Sequence, residues 1–175
     1  EQILFTSGGT ESNNHAIKHF TVSSDIGHVV TSAIEHHSVL NACENNGFEQ
    51  FVIPVDKFGM VSTDELENVL GRYRPFIASC DSTLVTIMTA NNEIGTIQHI
   101  REISNIAHHY GAIFHTDAVQ SVGHIPMDVK AMGIDMLSAS AHKFNGPKGI
   151  GFLYSKNGLL QTFHHGGAQE FGMRA

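Results

Sequence analysis

The chain has 175 residues, 41% hydrophobic and 15% charged, and its 10 Lys and Arg against 17 Asp and Glu leave a net charge of −7. That balance excludes a basic stripe along which a nucleic-acid backbone could run, no apolar run reaches the roughly 20 residues of a membrane helix, and no signal-peptide pattern opens the chain. The length suits about one globular domain, and two cysteines, Cys43 and Cys80, are too few for a disulfide framework, so a reducing cytoplasm is the expected setting.

Strand-like and helix-like runs alternate. Gln2–Thr6 reads as a buried strand, Thr10–Phe20 as a helix, His28–Ser32 as a strand, and His36–Asn46 as a helix ended by Gly47. Phe48–Val55 is a strand, and Ser62-Thr63-Asp64-Glu65 opens a helix with capping-box chemistry that runs to about Leu70. Leu84–Thr89 is a strand, Ile100–Tyr110 a helix closed by Gly111, and Ala112–Thr116 a strand. A short helical turn at Val129–Met132 precedes strands at Ile134–Leu137 and Gly151–Tyr154. The strands are continuous Val/Ile/Leu/Phe runs, the pattern of strands covered on both faces, which predicts an α/β fold with a mainly parallel sheet between helices. The chain begins inside a strand without Met and closes on Gly172-Met173-Arg174-Ala175 with no helix stop, so it reads as a segment of a longer polypeptide.

Ligands of such folds gather beyond the carboxyl ends of the strands. Five stretches there carry polar chemistry. In Thr6-Ser7-Gly8-Gly9-Thr10-Glu11-Ser12-Asn13 a glycine turn opens a helix, whose free N–H groups suit a phosphate; a plain βα turn capped by Thr10 fits equally well. It is neither a dinucleotide fingerprint nor a Walker loop. Glu35-His36-His37-Ser38 offers an imidazole face for a planar ring, or a solvated helix start. Thr89-Ala90-Asn91-Asn92-Glu93-Ile94-Gly95-Thr96 offers amides, or a turn-forming Asn pair. Phe114-His115-Thr116-Asp117-Ala118-Val119-Gln120 delivers a carboxylate that needs a partner to stay ionised, or a helix cap. Ser140-Ala141-His142-Lys143 sets a lysine on a tight connection between buried elements; removal from water would depress its pKa and make it a nucleophile toward carbonyls, as Schiff-base lysines require, whereas a surface-loop lysine is the plain alternative. A phosphate cradle, a carboxylate, an imidazole and an amine at separate strand ends are the parts that hold pyridoxal phosphate.

These five stretches, together with Gly146-Pro147-Lys148-Gly149, resemble the cysteine desulfurases, class V members of the fold-type-I pyridoxal-phosphate enzymes. Gly166-Gly167, Gln169-Glu170 and Met173-Arg174 resemble a further family segment, with Ala168 where a glycine is usual and Phe171 where an arginine is usual. The resemblance implies a three-layer αβα sandwich over residues 1–175, an incomplete aspartate-aminotransferase-like large domain without its N-terminal segment and small C-terminal domain. It implies pyridoxal 5′-phosphate as cofactor and Lys143 and His36 as catalytic residues. Lys143 would carry the cofactor and move the substrate α-proton, His36 would stack on the ring, and Asp117 would pair with the ring nitrogen. Gln120 and Asn92 would meet the phenolic oxygen, with Asn92 also near the substrate carboxylate, and Gly9, Thr10, Ser140 and His142 would hold the phosphate.

By the same resemblance the whole enzyme would convert L-cysteine to L-alanine and pass sulfur on as a persulfide. It would do so as a cytoplasmic homodimer, with a sulfur-acceptor or scaffold protein as a further partner and iron–sulfur cluster assembly as a destination. The nucleophilic cysteine and the carboxylate-gripping arginine would lie beyond these 175 residues, leaving Cys43 and Cys80 structural and this chain alone inactive. A selenocysteine lyase, a class V aminotransferase, or a truncated non-catalytic module would present the same residues. The 13 histidines include His15 and His19 four apart and three adjacent pairs, but no zinc spacing, so no metal is expected and the histidines read as solvated helix faces.

Overall fold

Seven strands form one sheet in the computed structural model, which describes residues 2–23, 28–47, 49–77, 83–158 and 160–174. The strands are β1 (Ile3–Thr6), β2 (His28–Ser32), β3 (Glu49–Ile53), β4 (Thr83–Thr86), β5 (Ile113–Asp117), β6 (Met136–Ser140) and β7 (Gly151–Ser155). Their order is β1-β7-β6-β5-β4-β2-β3; the ladders from β6 to β3 are parallel, and β7 alone runs antiparallel to both its neighbours. Four helices connect them: α1 (Gly9–Ser23), α2 (His37–Asn45), α3 (Thr63–Ile77) and α4 (Ile100–His109).

Adjacent strand residues enter two different cores. Val29, Leu84, Met136 and Leu153 pack with Ala16 and Ile17 of α1 and Val39, Ala42 and Cys43 of α2. Their neighbours Val30, Val85, Leu137 and Tyr154 pack with Leu66 and Leu70 of α3 and Ile100, Ile103 and Ala107 of α4. Because successive side chains of a strand point to opposite faces, this division makes the molecule helix, sheet, helix in three layers. The mainly parallel αβα sandwich expected from the sequence is the observed fold. Among the described residues, no helix is long and apolar enough to cross a membrane.

The boundaries differ in instructive places. The Ser62 hydroxyl accepts from Glu65 N at 3.2 Å and starts α3 as expected, but the helix continues past Leu70 to Ile77, with Gly71 lying against the Tyr110 ring. β4 stops at Thr86, yet Ile87 N and Thr89 N still donate to His115 and Asp117 carbonyls, so the segment keeps β5 company without a regular ladder. Residues 129–132 form the expected single turn, closed by Met132 N donating to Asp128 O at 2.9 Å. Phe48, the expected start of β3, and Cys80 lie outside the described residues.

Candidate active site

The carboxyl ends of β6, β5, β4 and β2 and the β1–α1 turn converge. β6 ends at Ser140, and a four-residue 3-10 turn, Ala141–Phe144, carries His142 and Lys143 over the sheet edge. Asn145 closes it with φ 65°, and Gly146 N returns to Ala141 O at 2.8 Å, an approach so close that a Cβ on Gly146 would stand 2.8 Å from the Ala141 Cβ. His142 and Lys143 of this turn are exposed, while Ala141 and Phe144 are half-buried. The turn joins the buried strands β6 and β7 as expected, but it carries Lys143 out past the strand end, so the expectation that the lysine is withdrawn from water does not hold for the chain by itself.

Across from it, the Gly8–Thr10 turn opens α1. Gly151 has no room for a side chain, since a Cβ there would meet Ala139 O at 2.5 Å and Gly8 Cα at 2.7 Å; that contact presses the turn onto β6 and β7. Gly9 is equally confined, since a Cβ there would stand 2.5 Å from a Val119 methyl. The result is a helix mouth of bare backbone beside the buried Ser140.

Asp117, at the end of β5, is 4% exposed. Its Oδ1 accepts from Val119 N at 2.9 Å, an Asx-type turn with no helix following, and its Oδ2 accepts from Asn13 Nδ2 at 2.7 Å. Burial raises its pKa, and those two hydrogen bonds and the nearby His36 only partly offset the effect. Asn13 Nδ2 also donates to Ser38 Oγ at 2.9 Å, and that hydroxyl stands 2.7 Å from His36 Nδ1. Ser38 N donates to the same Nδ1 at 3.1 Å, so Nδ1 is an acceptor and a neutral ring carries its hydrogen on Nε2. Asp117, Asn13, Ser38 and His36 thus form one chain of contacts joining β5, α1 and α2.

Gly9, Thr10, His36, Asn92, Asp117, Gln120, Ser140, His142 and Lys143 all line a single cavity of about 330 Å³. Every residue nominated from the sequence is on its wall. Asn13, Ser38, Met88 and Val119 line it too and had no assigned role. Asn13 and Ser38 were legible as motif members, but their bonds to Asp117 and His36 cross 104 and two residues respectively, and the longer one leaves no trace in a local pattern.

Two histidines depart from the solvated reading. His15 is 1% exposed, held through Nε2 to Gln161 O at 2.7 Å and stacked on Phe163, because residues 160–163 pack over α1. His115 is wholly buried between Thr86 Oγ1 and Ser138 Oγ, and burial pushes its pKa down to about 3. Cys43 is buried as well, its thiol pushed up to about 12 chiefly by burial and further by Glu35, which makes it a poor nucleophile. Among the described residues no group of three or more His, Cys, Asp or Glu is arranged to hold a metal ion. In the last segment, Ala168 and Phe171 both take positive φ, at 63° and 59°, the backbone for which glycine is the usual residue.

Known proteins resemble this chain in sequence and in fold. Cysteine desulfurase IscS of Methanosarcina thermophila is 53% identical over 180 residues, covering 99% of this chain and 43% of that protein. The mitochondrial cysteine desulfurase of Drosophila melanogaster is 41% identical over 183 residues, covering 100% of this chain and 38% of the other. Among solved structures, SspA in complex with cysteine superposes with a TM-score of 0.85 at 43% identity, covering 98% of this chain and 50% of that one. A NifS-like protein from Rickettsia africae superposes with a TM-score of 0.85 at 38% identity, covering 99% and 46%. This chain therefore spans less than half the length of the curated relatives it matches. The family model described as aminotransferase class-V matches residues 1–171, and the chain belongs to that family.

Proposed function

We propose that this chain is the cofactor-binding part of a pyridoxal-phosphate-dependent cysteine desulfurase. The observation that carries the reading is the convergence of nine residues from five separate strand ends on one cavity. The residues fit the cofactor on three further counts. A helix mouth stripped of side chains at Gly9 suits a phosphate ester. The buried Asp117 has two donors and calls for a cation to remain ionised, which a protonated ring nitrogen provides. The buried Asn13 Oδ1 in the cavity wall has no hydrogen-bond partner among the described residues and is free to accept one.

When bound, pyridoxal phosphate supplies an electron sink for the pair left as a substrate Cα–H bond breaks. Asp117 would pair with a protonated ring nitrogen, and the Asn13 amide would favour its ionised form without securing it alone. Gly9, Thr10, Ser140 and His142 hold the phosphate, and His36 covers a ring face with its orientation set through Nδ1 by Ser38. Gln120 and Asn92 take the phenolic oxygen, and Asn92 also lies toward the substrate carboxylate. Lys143 Nζ would hold the cofactor and would take and return the substrate α-proton as base and acid. The exposed position of Lys143 gives that amine free access to the cavity mouth.

L-cysteine is the substrate in this reading, L-alanine the product, and the sulfur leaves on a cysteine thiol outside these residues. The working unit is a cytoplasmic homodimer that hands sulfur to an acceptor or scaffold protein, cluster assembly included. Full-length protein loaded with cofactor and given L-cysteine or L-selenocysteine separately is the test. Equal amounts of alanine and transferable sulfur from cysteine are expected. Turnover confined to selenocysteine, or amino-group transfer to a keto acid without sulfur release, would replace the desulfurase reading.

A further inference from the structure

Glu35 is a carboxyl group that the proposed chemistry leaves without a task. It sits between β2 and His36, 6% exposed, and its Oε1 accepts from Ser32 Oγ at 2.5 Å and from Met88 N at 2.9 Å. Its Oε2 is buried with no hydrogen-bond partner among the described residues. Ser32 belongs to the end of β2 and Met88 to the segment that leaves β4 for Asn92, so one oxygen atom clasps two strand exits. A parallel bond, Asn91 Nδ2 to Ile34 O at 2.8 Å, joins the same two exits. His36 is the next residue along the chain, and both His36 and Asn92 line the cavity.

An ionised carboxylate in this place would leave half its charge unmet, with the acidic Asp117 of β5 and the thiol of Cys43 on α2 facing it and no cation among its hydrogen-bond partners in the described residues. We propose that Glu35 is a positioning residue that works as a neutral acid, clasping the β2 and β4 exits so that His36 and Asn92 keep their places. The role rests on the cofactor reading above. As a neutral group it also adds no second negative charge beside Asp117. Burial, reinforced by Asp117, lifts the Glu35 pKa to about 8 against the hydrogen bonds from Ser32 and Met88.

The test uses full-length protein with Glu35→Gln, which keeps a carbonyl oxygen for both donors and cannot ionise, and Glu35→Ala, which removes the clasp. The first arm needs no cofactor. A glutamic acid protonated when folded and ionised when unfolded makes the folding constant fall about tenfold per pH unit from roughly pH 4.5 to 8. Glu35→Gln is expected to remove that slope, seen as a flatter pH profile of denaturant midpoints than wild type. The second arm measures pyridoxal-phosphate affinity and the absorbance of the loaded protein: Glu35→Ala weakens binding about tenfold or more and shifts the band, and Glu35→Gln restores both to within about twofold. An unchanged slope in Glu35→Gln overturns the neutral acid, and equal affinities in all three proteins overturn the positioning role. If no protein, wild type included, takes up the cofactor, the cofactor reading and the positioning role fall together, and the first arm still decides the protonation state.

Discussion

Asn13 shows how much a single amide does here. Its one NH2 group supplies both the donor to Asp117 Oδ2 and the donor to Ser38 Oγ, so it couples the acid beneath the cavity to the imidazole at its side. Removing it leaves a buried carboxylate oxygen without its donor, a loss of about 1–3 kcal/mol. Asn13→Ala is therefore expected to lower the denaturant midpoint and to weaken cofactor binding roughly tenfold, because Asp117 without that donor protonates more readily. Denaturation and cofactor titration of full-length protein check both; an unchanged affinity would sever Asn13 from the site. His115 makes the opposite point. It stands two residues before Asp117, yet its two nitrogens are taken up by Thr86 and Ser138, which makes it a neutral tie across β4, β5 and β6.

At the scale of elements, the site depends on how tightly the β1–α1 turn is pressed to the sheet. Gly151 opens β7 with Gly8 passing 2.7 Å from where its side chain would be, so Gly151→Ala must push the turn outward against backbone on both sides. Overpacking of this kind costs about 1–3 kcal/mol, and here the displaced atoms are the helix mouth itself. The expected result is a weakened affinity for inorganic phosphate and for pyridoxal phosphate together with a lower melting temperature; retained phosphate affinity would show that the turn is not the cradle. Most strands were legible as apolar runs bounded by polar turns, and β2 begins and ends as expected, but β6 runs from Met136 to Ser140 rather than from Ile134 to Leu137, and β1, expected to be buried, is an edge strand with Ile3 and Phe5 exposed. The length of α3 was not legible, since its continuation beyond Leu70 rests on packing rather than on any local signal. Nor was the burial of His15, which follows from a segment 146 residues away folding over α1.

At the scale of the whole molecule, strand order does the assembling. β1, β6, β5, β4 and β2 lie within one sheet with their carboxyl ends on the same edge, which is why residues as distant in sequence as Thr10 and Lys143 share a cavity. The residue types at each strand end were readable in the sequence; the exposure of Lys143 was not, because it depends on how far the Ala141–Phe144 turn projects. The chain spans 43% of the length of the Methanosarcina thermophila relative. The most direct measurement is to load full-length protein with pyridoxal phosphate, reduce it with borohydride, and locate the pyridoxyl group by peptide mass spectrometry. The label is expected on Lys143 alone and absent from Lys143→Ala; a label on Lys148 or another lysine, or none, would contradict a site built around this cavity.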